Sequence, residues 1–251
     1  ISAEKRAERA LIEMDQLKNE FISTAAHELR TPVASIMGYT ELLSGDEFKG
    51  QFSDEQKQEF FQEIHDNSDR LAKIIDDILD VSRIESGQKI PLRKSLTSVE
   101  HLLEKVVSRF RLTARHNILV HSEPGMADLI ELDSHRISQV LENIISNAIK
   151  YSDKSSTVLV SAKSVGSFVV LSVSDEGIGM NEEQINRIFD KFYRADGTDT
   201  AVRGLGLGMS IVKQIIEEHR GMIAVESTVG KGTTVSFKLP AGADSGKRDM
   251  Q

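Results

Sequence analysis

Apolar residues recur at steps of three and four along the first part of the chain, which is the spacing of a helix that buries one face. This stripe consists of Met14, Leu17, Phe21, Ala25, Leu29, Val33, Ile36, Tyr39 and Leu43. After a polar stretch with two glycines, SGDEFKGQFSD, a second stripe predicts a helix over about 54–86. It includes Phe61, Ile64, Leu71, Ile75 and Ile78. Two such helices form a hairpin with one apolar stripe uncovered, and pairing two hairpins would cover it. We therefore expect an all-α helical hairpin that forms a four-helix bundle in a homodimer.

The pattern changes after Pro91, where short strand-like and helix-like segments mix. The spacing predicts helices over 99–113, 135–150, 182–189 and 206–219. It predicts strands over 117–121, 127–132, 157–163, 167–175, 222–228 and 233–239. Because strands and helices do not alternate strictly, this part is typical of an α+β domain.

The whole chain then divides into five parts. We predict an N-terminal helix (1–20) that continues into the helical hairpin (21–89), a linker (90–96), the α+β domain (97–240) and a polar, disordered tail (241–251).

Composition narrows the functional classes. The 251 residues are 39% hydrophobic and 28% charged, as in globular proteins, and a net charge of −8 argues against nucleic acid as the main partner. The absence of cysteine excludes disulfides and suits a reducing compartment. Because the chain begins at Ile1 rather than methionine, we expect a cytoplasmic fragment of a longer protein, with or without a membrane anchor upstream.

The first helix carries an unusual sequence, AAHELRTP. Its histidine, His27, lies two residues from both Ala25 and Leu29, which belong to the apolar stripe. Two residues correspond to about 200° around a helix, so the imidazole is expected to face solvent. An ordinary surface histidine is the simple interpretation, but the neighbouring residues favour another.

Glu28 adjoins the histidine, and Pro32 predicts a kink one turn downstream. A zinc hydrolase helix needs a second histidine at the fifth position of His-Glu-x-x-His, where this chain has Thr31, so that class is disfavoured. An exposed imidazole beside a carboxylate can instead act as a nucleophile, attacking through one ring nitrogen while the carboxylate takes the proton from the other. Such a nucleophile requires an electrophile.

Three polar residues follow one margin of the predicted helix over 135–150. Asn143, Asn147 and Lys150 are spaced at i, i+4 and i+7, beside its apolar face. They form either a solvated flank or a set of groups aimed into a cleft. In a cleft, amide oxygens would suit Mg²⁺, which is usually held by few protein groups together with phosphates, and the lysine would contact those phosphates.

Two glycine-containing motifs add to this cluster. Asp175 ends an apolar strand row and is followed by Gly177 and Gly179, an arrangement able to accept the amino group of adenine while a ligand approaches the backbone closely.

Gly204, Gly206 and Gly208 open the helix in RGLGLGMSIVK, which suggests a cradle of backbone N–H groups for an anion. The polar loop RADGTDTAV precedes it and is interpreted as a mobile lid. The motif is neither a Walker A loop nor a dinucleotide fingerprint.

Taken in order, the motifs closely resemble the catalytic core of a sensor histidine kinase of a two-component system. The matching segments are FISTAAHELRTP (H box), DDILDVSRIESG (end of the second dimerisation helix), ENIISNAIKYS (N box), DEGIGM (G1 box), IFDKFYR (F box), GLGLGMSIVK (G2 box) and STVGKGTTVSFKLP. The resemblance covers roughly residues 10–240. It implies a dimerisation and phosphotransfer hairpin followed by an α+β sandwich ATP-binding domain of the gyrase type, also called the Bergerat fold.

The resemblance also implies a role for each candidate on the hairpin. His27 would be the phosphoacceptor and Glu28 its acid/base partner, while Thr31 would position water when the phosphorylated response regulator is hydrolysed. The partners implied are a response regulator receiver domain and a second copy of this chain.

For the ATP-binding domain, the resemblance implies Asn147 as the Mg²⁺ ligand and Asp175 as the adenine contact. Arg194 would assist phosphoryl transfer. The other residues expected around ATP are Asn143, Lys150, Tyr151, Gly177, Gly179, Phe189, Phe192, Gly204, Gly206, Leu207, Gly208 and Thr233. Among them, Phe189 and Phe192 would anchor the lid. Ala26, Leu205 and Met209 depart from the commoner residues of the family, and none removes a required chemical group.

Two other functions remain to be weighed. Gyrase-type ATPases of similar fold carry a glutamate four residues before the metal-binding asparagine, whereas this chain has Asn143, which cannot act as a base. Glu142 lies about 100° around the helix and is a poor substitute. A dimeric scaffold or phosphatase-only regulator would show degenerate nucleotide motifs, and these are intact. The sequence leaves open the stimulus, the cognate regulator, and whether phosphorylation occurs in cis or in trans.

Overall fold

A computed structural model describes residues 3–45, 50–193 and 205–242 of the chain. The elements, in chain order, are α1 (Ala3–Ser44), α2 (Asp54–Glu85), β1 (Ser95–Ser98), α3 (Val99–Thr113), β2 (Asn117–Ser122), β3 (Leu129–Leu132), α4 (Ser134–Lys150), β4 (Thr157–Val165), β5 (Phe168–Asp175), α5 (Glu182–Arg187), α6 (Gly208–Glu218), β6 (Met222–Thr228) and β7 (Gly232–Pro240). They fall into two compact units. The first contains the chain as far as Ser82 together with 191–193 and 205–207, and the second contains 83–190 and the chain from Gly208 onward.

The first unit is built on the two long helices, as predicted. α1 remains helical through Pro32, although proline cannot donate the usual backbone hydrogen bond. Whether the proline kinks the helix stays a prediction. Among the residues described, no helix is both long enough and apolar enough to cross a membrane.

Some apolar residues of this hairpin are buried and others are exposed. The buried apolar residues of α1 and α2 include Ala25, Ile74 and Val81. Large apolar side chains on α1 and α2 that remain exposed by 40% or more are Ile22, Val33, Met37, Phe61, Ile75 and Leu79. A single hairpin thus leaves part of its apolar surface uncovered, as the sequence analysis expected, and its cover by a second copy stays a prediction.

The second unit is a sheet with helices packed against it. Its five strands lie in the order β2-β4-β5-β7-β6. β2 and β4 are parallel, and the other neighbours are antiparallel. A separate antiparallel pair joins β1 to β3. Helices α3, α4 and α6 pack on the sheet and on one another. This α+β architecture confirms the predicted fold class.

Alternation along the strands explains why one face of the sheet is buried. Val169, Leu171 and Val173 of β5 are at most 1% exposed, whereas the residues between them are partly accessible. Seven residues of α4 are buried, of which six are apolar and one, Asn143, is polar. The polar margin of α4 is consequently fixed relative to the end of β5, where the strand row stops at Asp175.

One predicted segment, the linker, differs from the structure. The predicted linker, 90–96, overlaps β1, and its Ile90 is only 2% exposed. SLTS has no apolar alternation, and it becomes a strand by pairing with β3, with Ser98 opposite Leu129. Of the tail predicted over 241–251, all but the first two residues lie outside the described part of the chain.

Candidate functional site

His27 is exposed on α1, as its helical position predicts. It lies on a shallow, open groove formed by one side of the helix. The groove is lined by His27, Arg30, Thr31, Ala34 and Ser35. The imidazole is therefore accessible to a second reactant, and a nucleophile requires such access.

Glu28 is directed elsewhere. Its side chain is only 10% exposed, and its Oε2 accepts a hydrogen bond of 2.6 Å from Nη2 of Arg70 on α2. Within the described part of the chain, this ion pair is the carboxylate's contact, and none joins it to His27. Sequence reasoning missed Arg70 because nothing local to α2 distinguishes it from other surface arginines.

The hydroxyl of Thr31 donates to the backbone carbonyl of His27, with 3.2 Å between the oxygens. This is the usual bond of a helical threonine to the carbonyl four residues earlier. Thr31 thus lies in the groove one turn from the imidazole. Its role toward water stays a prediction.

In the second unit, α4 brings the predicted amides and cation together. Asn143 is 8% exposed, and its Nδ2 has no hydrogen-bond partner among the described residues. A buried amide donor without a partner costs about 1–3 kcal/mol, so its presence points to a ligand that would accept from it. Asn147 lies one turn further along and is half-buried. The Nζ of Lys150 lies 5.3 Å from the ring centroid of Tyr151, which ends the helix.

The first residue of α6 lies against this amide. A Cβ added to Gly208 would be 3.5 Å from Cγ of Asn143, an ordinary contact distance. The N-terminus of α6 and the unpartnered Nδ2 therefore lie side by side. Backbone N–H groups at a helix start and an amide donor together suit an anion such as a phosphate group.

Asp175 has the environment of a binding carboxylate. Its Oδ1 accepts from the backbone N–H of Gly177 at 2.8 Å and of Thr233 at 3.2 Å. Burial raises the pKa of Asp175, and these two hydrogen bonds partly offset that rise. Both bonds use Oδ1, so within the described residues Oδ2 is left to accept a donor such as an adenine amino group.

The reason for the glycines after Asp175 differs from the prediction. A Cβ on Gly177 would overlap the backbone carbonyl of Tyr151, and one on Gly179 would overlap that of Thr228. Gly179 also has φ 65°, which favours glycine. Close approach by the chain's own backbone therefore explains these positions, and direct contact with a ligand stays a prediction. This loop connects β5 to α5, and its backbone is hydrogen-bonded both to Tyr151 at the end of α4 and to Gly230 in the β6–β7 turn.

The segment before α6 is also tightly packed. Gly206 has φ 69°, and a Cβ there would meet the backbone of Phe192 at 3.0 Å. Leu207 is only 1% exposed. Phe192 itself has φ 65°, a strained conformation for a bulky residue, and its ring centroid lies 4.6 Å from that of Phe21 in the same unit.

The predicted lid and its neighbours are described only in part. Phe189 is half-buried, and the Nζ of Lys213 lies 5.8 Å from its ring centroid. Arg194, Gly204 and the predicted lid between them lie outside the described residues.

Sequence reasoning also missed a buried cluster behind α4. Asp133 caps α4 by accepting from the N–H groups of His135 and Arg136 on Oδ1, and its Oδ2 accepts from the N–H of Arg93 at 2.6 Å. The N–H of Asp133 donates to Nε2 of His219, 3.0 Å away. A histidine at the end of an apolar helix was the available signal.

The hydrogen bonds of His219 assign its proton to one ring nitrogen. Because Nε2 accepts from a backbone N–H, the proton lies on Nδ1, which donates to the carbonyl of Ile215 at 2.8 Å. Burial lowers the pKa of His219 below its ordinary value. The imidazole is thus held neutral between α6 and the cap of α4. Asn143 lies on α4, and Gly208 begins α6.

Comparisons with known proteins agree with this geometry. One family model, described as "His Kinase A (phospho-acceptor) domain", matches residues 17–87. A second, described as "Histidine kinase-, DNA gyrase B-, and HSP90-like ATPase", matches 132–243. Fold and site together define a phosphoacceptor helical hairpin joined to a gyrase-type ATP-binding domain.

Relatives carry the same two parts over most of this chain. The sensor histidine kinase WalK of Bacillus subtilis is 31% identical over 231 residues, which cover 90% of this chain and 37% of WalK. The circadian input-output histidine kinase CikA of Synechococcus elongatus is 35% identical over 231 residues, covering 89% of this chain and 30% of CikA. The chain belongs to the sensor histidine kinases of two-component systems, and it spans about a third of the length of these relatives.

Solved structures agree with this assignment. Full-length ShkA in complex with AMPPNP superposes with a TM-score of 0.63 at 26% identity, over 88% of this chain and 45% of that one. Histidine kinase ThkA in complex with response regulator protein TrrA gives 0.57 at 23% identity, over 95% of this chain and 66% of that one, and shows the shared fold.

Proposed function

We propose that the chain catalyses transfer of the γ-phosphoryl group of ATP to its own His27. A neutral imidazole would attack the γ-phosphorus through Nε2, so that a nitrogen–phosphorus bond forms while the bond to the ADP oxygen breaks. ADP leaves with that electron pair, and the Nδ1 proton passes to Glu28. The exposed position of His27 beside an open groove is the observation that carries the proposal.

The second unit would bind and orient ATP. The Nδ2 of Asn143 and the start of α6 at Gly208 supply donors for phosphate oxygens, with Lys150 as the nearby cation. Asp175 would accept from the adenine amino group through Oδ2. The AMPPNP complex of ShkA, a neighbour in fold, supports a nucleotide at this kind of site.

The same residues fit a magnesium ion. Asn147 offers an amide oxygen one turn from the buried amide of Asn143, and Mg²⁺ commonly takes one or two protein ligands and completes its shell with phosphates and water. When bound, Mg²⁺ would neutralise phosphate charge that builds up during transfer. The unpartnered Nδ2 beside the start of α6 is what supports a phosphate-bearing ligand here.

Hydrolysis of ATP is disfavoured as the main reaction. An amide at position 143 cannot accept a proton from water at neutral pH. The neighbouring Glu142 is held by Arg109 of α3, whose Nη1 lies 3.2 Å from its Oε1. If neither position supplies a base, bound ATP would persist until the imidazole reaches it.

Transfer onward to a response regulator extends the proposal. The groove beside His27 is open, so an acceptor aspartate on a receiver domain would be able to reach the phosphoryl group. Thr31 lies in that groove and would position water for the phosphatase reaction, in which water attacks the aspartyl phosphate of the regulator and the carboxylate leaves. The family to which the chain belongs supports such a partner.

A homodimer would cover the exposed apolar face of the hairpin. Met37 is 66% exposed and Phe61 is 57% exposed, and other members of that face recur at whole helical turns along α1 and α2. Two such faces together would form the core of a four-helix bundle. A charge introduced as Met37→Glu should convert the dimer to a monomer in sedimentation experiments, whereas a substitution at an exposed polar position such as Ser23→Glu should not.

The central test is labelling with γ-phosphate-labelled ATP and Mg²⁺. We expect acid-labile, base-stable label on the native chain, and none on His27→Gln or Asn147→Asp. His65→Gln and Asn186→Asp are matched controls, since both are exposed residues away from the proposed sites, and they should label normally. Release of free phosphate without protein label, unchanged by His27→Gln, would establish an ATPase instead.

The phosphatase role has a separate test. Thr31→Ala should leave the rate of His27 labelling within about two-fold, while the chain's ability to dephosphorylate a phosphorylated receiver domain falls by at least ten-fold, the scale expected for a group that positions water. Equal loss of both activities would assign Thr31 a structural role. Normal phosphatase activity in the same variant would exclude it from the reaction.

A further inference from the structure

The carboxylate proposed as the proton acceptor is bound to another residue. Glu28 is 8% exposed and lies in the seam between α1 and α2, where Arg70 holds its Oε2 at 2.6 Å. The two residues are 42 positions apart in sequence, so the pair exists only because the hairpin closes. It is thus a tertiary contact and not a local pairing along one helix.

His27 and Glu28 also differ in their surroundings. The imidazole is exposed on the groove side of α1, and the carboxylate is about 100° further around the helix, in the seam. Among the described residues, the contact of Glu28 is with Arg70 and not with the imidazole. In this arrangement the acceptor is withheld from the nitrogen whose proton it would take.

We propose that Arg70 is a positioning residue that restrains Glu28 and so limits phosphorylation of His27. The carboxylate has two alternative partners, the guanidinium in the seam and the imidazole N–H on the groove side. Phosphorylation proceeds only from the second arrangement, in which Nδ1 gives its proton to Glu28 as Nε2 bonds to phosphorus and ADP departs. This inference rests on the proposed autokinase reaction.

The burial of Glu28 gives the restraint its direction. A carboxylate that is 10% exposed is tolerated in the seam because a cation is hydrogen-bonded to it. Without the guanidinium, the ionised group would be buried and unpaired, so it would rotate out toward water and toward the imidazole. Removing a competing partner shifts the population of a two-state group toward the other state. Loss of Arg70 should therefore raise the rate of His27 phosphorylation. If Arg70 served only to pack the two helices together, its loss would instead lower that rate.

The test compares initial rates of His27 labelling across ATP concentrations for the full chain. Arg70→Gln should raise kcat about three- to ten-fold, the scale of a population shift between nearly balanced states, with KM for ATP unchanged within about two-fold. Arg70→Lys keeps a cation and should stay near the native rate. Lys57→Gln is the matched control, because Lys57 is a cation of α2 whose ion pair among the described residues is with Asp54 of the same helix, at 3.2 Å.

The decisive variant combines Arg70→Gln with Glu28→Gln. If Arg70 acts through Glu28, the gain disappears in the double variant, whose rate matches Glu28→Gln alone. A gain that persists without Glu28, or a rate for Arg70→Gln at or below the native one, overturns the inference. Helix content and thermal midpoint are measured on each variant, and a fall in kcat accompanied by a lower midpoint counts against restraint in favour of a structural role.

Failure of the autokinase proposal would look different. In that case the native chain itself would carry no label on His27, whatever residue stands at position 70. If the native chain is labelled on His27 and only the rate increase is missing, the restraint alone is excluded.

Discussion

Replacement of Asp133 by alanine tests how the helix that carries both site amides is held. The carboxylate is part of a residue that is 6% exposed, and it accepts three backbone hydrogen bonds, from Arg93, His135 and Arg136. Loss of an N-terminal cap costs about 1 kcal/mol. Loss of the bond to the N–H of Arg93, in a partly buried place, adds about 1–2 kcal/mol. We therefore expect Asp133→Ala to destabilise the second unit by about 2–3 kcal/mol.

Calorimetry on the full chain measures this cost. The transition that ATP shifts upward is assigned to the second unit, because a ligand stabilises the unit that binds it. For a unit of this size, about 2–3 kcal/mol corresponds to a fall in Tm of roughly 4–12 °C. Asp133→Asn keeps one acceptor oxygen for the helix cap but places an amide NH₂ opposite the backbone N–H of Arg93. The Tm of this variant should therefore lie between that of the native chain and that of Asp133→Ala.

Asp153→Ala is the control for this prediction, since Asp153 is an exposed aspartate outside the helices and should change stability by less than about 0.5 kcal/mol. A Tm for Asp133→Ala within about 2 °C of the native value would refute the reasoning, because water would then replace the carboxylate without loss.

The remaining predictions concern four other positions. Because the pKa of His219 is lowered in the fold, the unfolded chain binds the proton first as pH falls below about 6.5, so stability should drop there. His219→Gln keeps an acceptor for the N–H of Asp133, so the free energy of unfolding measured in urea should depend less on pH between about 5.5 and 7.5. An unchanged pH dependence would count against the assignment to His219. Asp175→Asn should retain the acceptor for its two backbone donors but direct NH₂ at the adenine amino group, so affinity for ATP should fall roughly ten- to hundred-fold in calorimetric titration with Tm unchanged. Gly232→Ala should lower the free energy of unfolding by about 1–3 kcal/mol and weaken ATP binding, because Gly232 has φ 96° and a Cβ there would overlap the backbone carbonyl of Asp175. A native Tm in this variant would contradict the prediction. Pro32→Ala restores a backbone donor one turn after the histidine and should change kinase and phosphatase rates, and unchanged rates would remove any role for the proline.

Periodicity predicted the main elements because their stabilising contacts are repeated along each segment. The apolar stripes of α1 and α4 and the alternation in β5 are visible in the sequence, and each element matched within a few residues. The exposure of His27 followed from the same geometry, since its angle to Ala25 and Leu29 depends only on the helix. The apposition of Asn143 and Gly208 depended instead on recognising the family.

Features that depend on distant partners were not predictable in this way. β1 is a strand because β3 lies beside it, and the Glu28–Arg70 pair exists because two helices meet. Gly177 showed a similar limit: its sequence suggests room for a ligand, whereas its space is taken by a carbonyl at the end of α4. The sequence indicated that these residues were unusual, but their contacts come from the closed fold.

The hydrogen bond from Arg93 to Asp133 has a mechanical consequence. It fastens the incoming chain to the cap of α4, and the buried Ile90 anchors the same stretch a few residues earlier. The exposed residues 86–89, where Gly87 has φ 69°, lie between the end of α2 and this anchored stretch. A force transmitted along the chain from α2 would therefore act first on the start of α4. The later turns of that helix carry the two amides proposed to bind ATP and its metal ion.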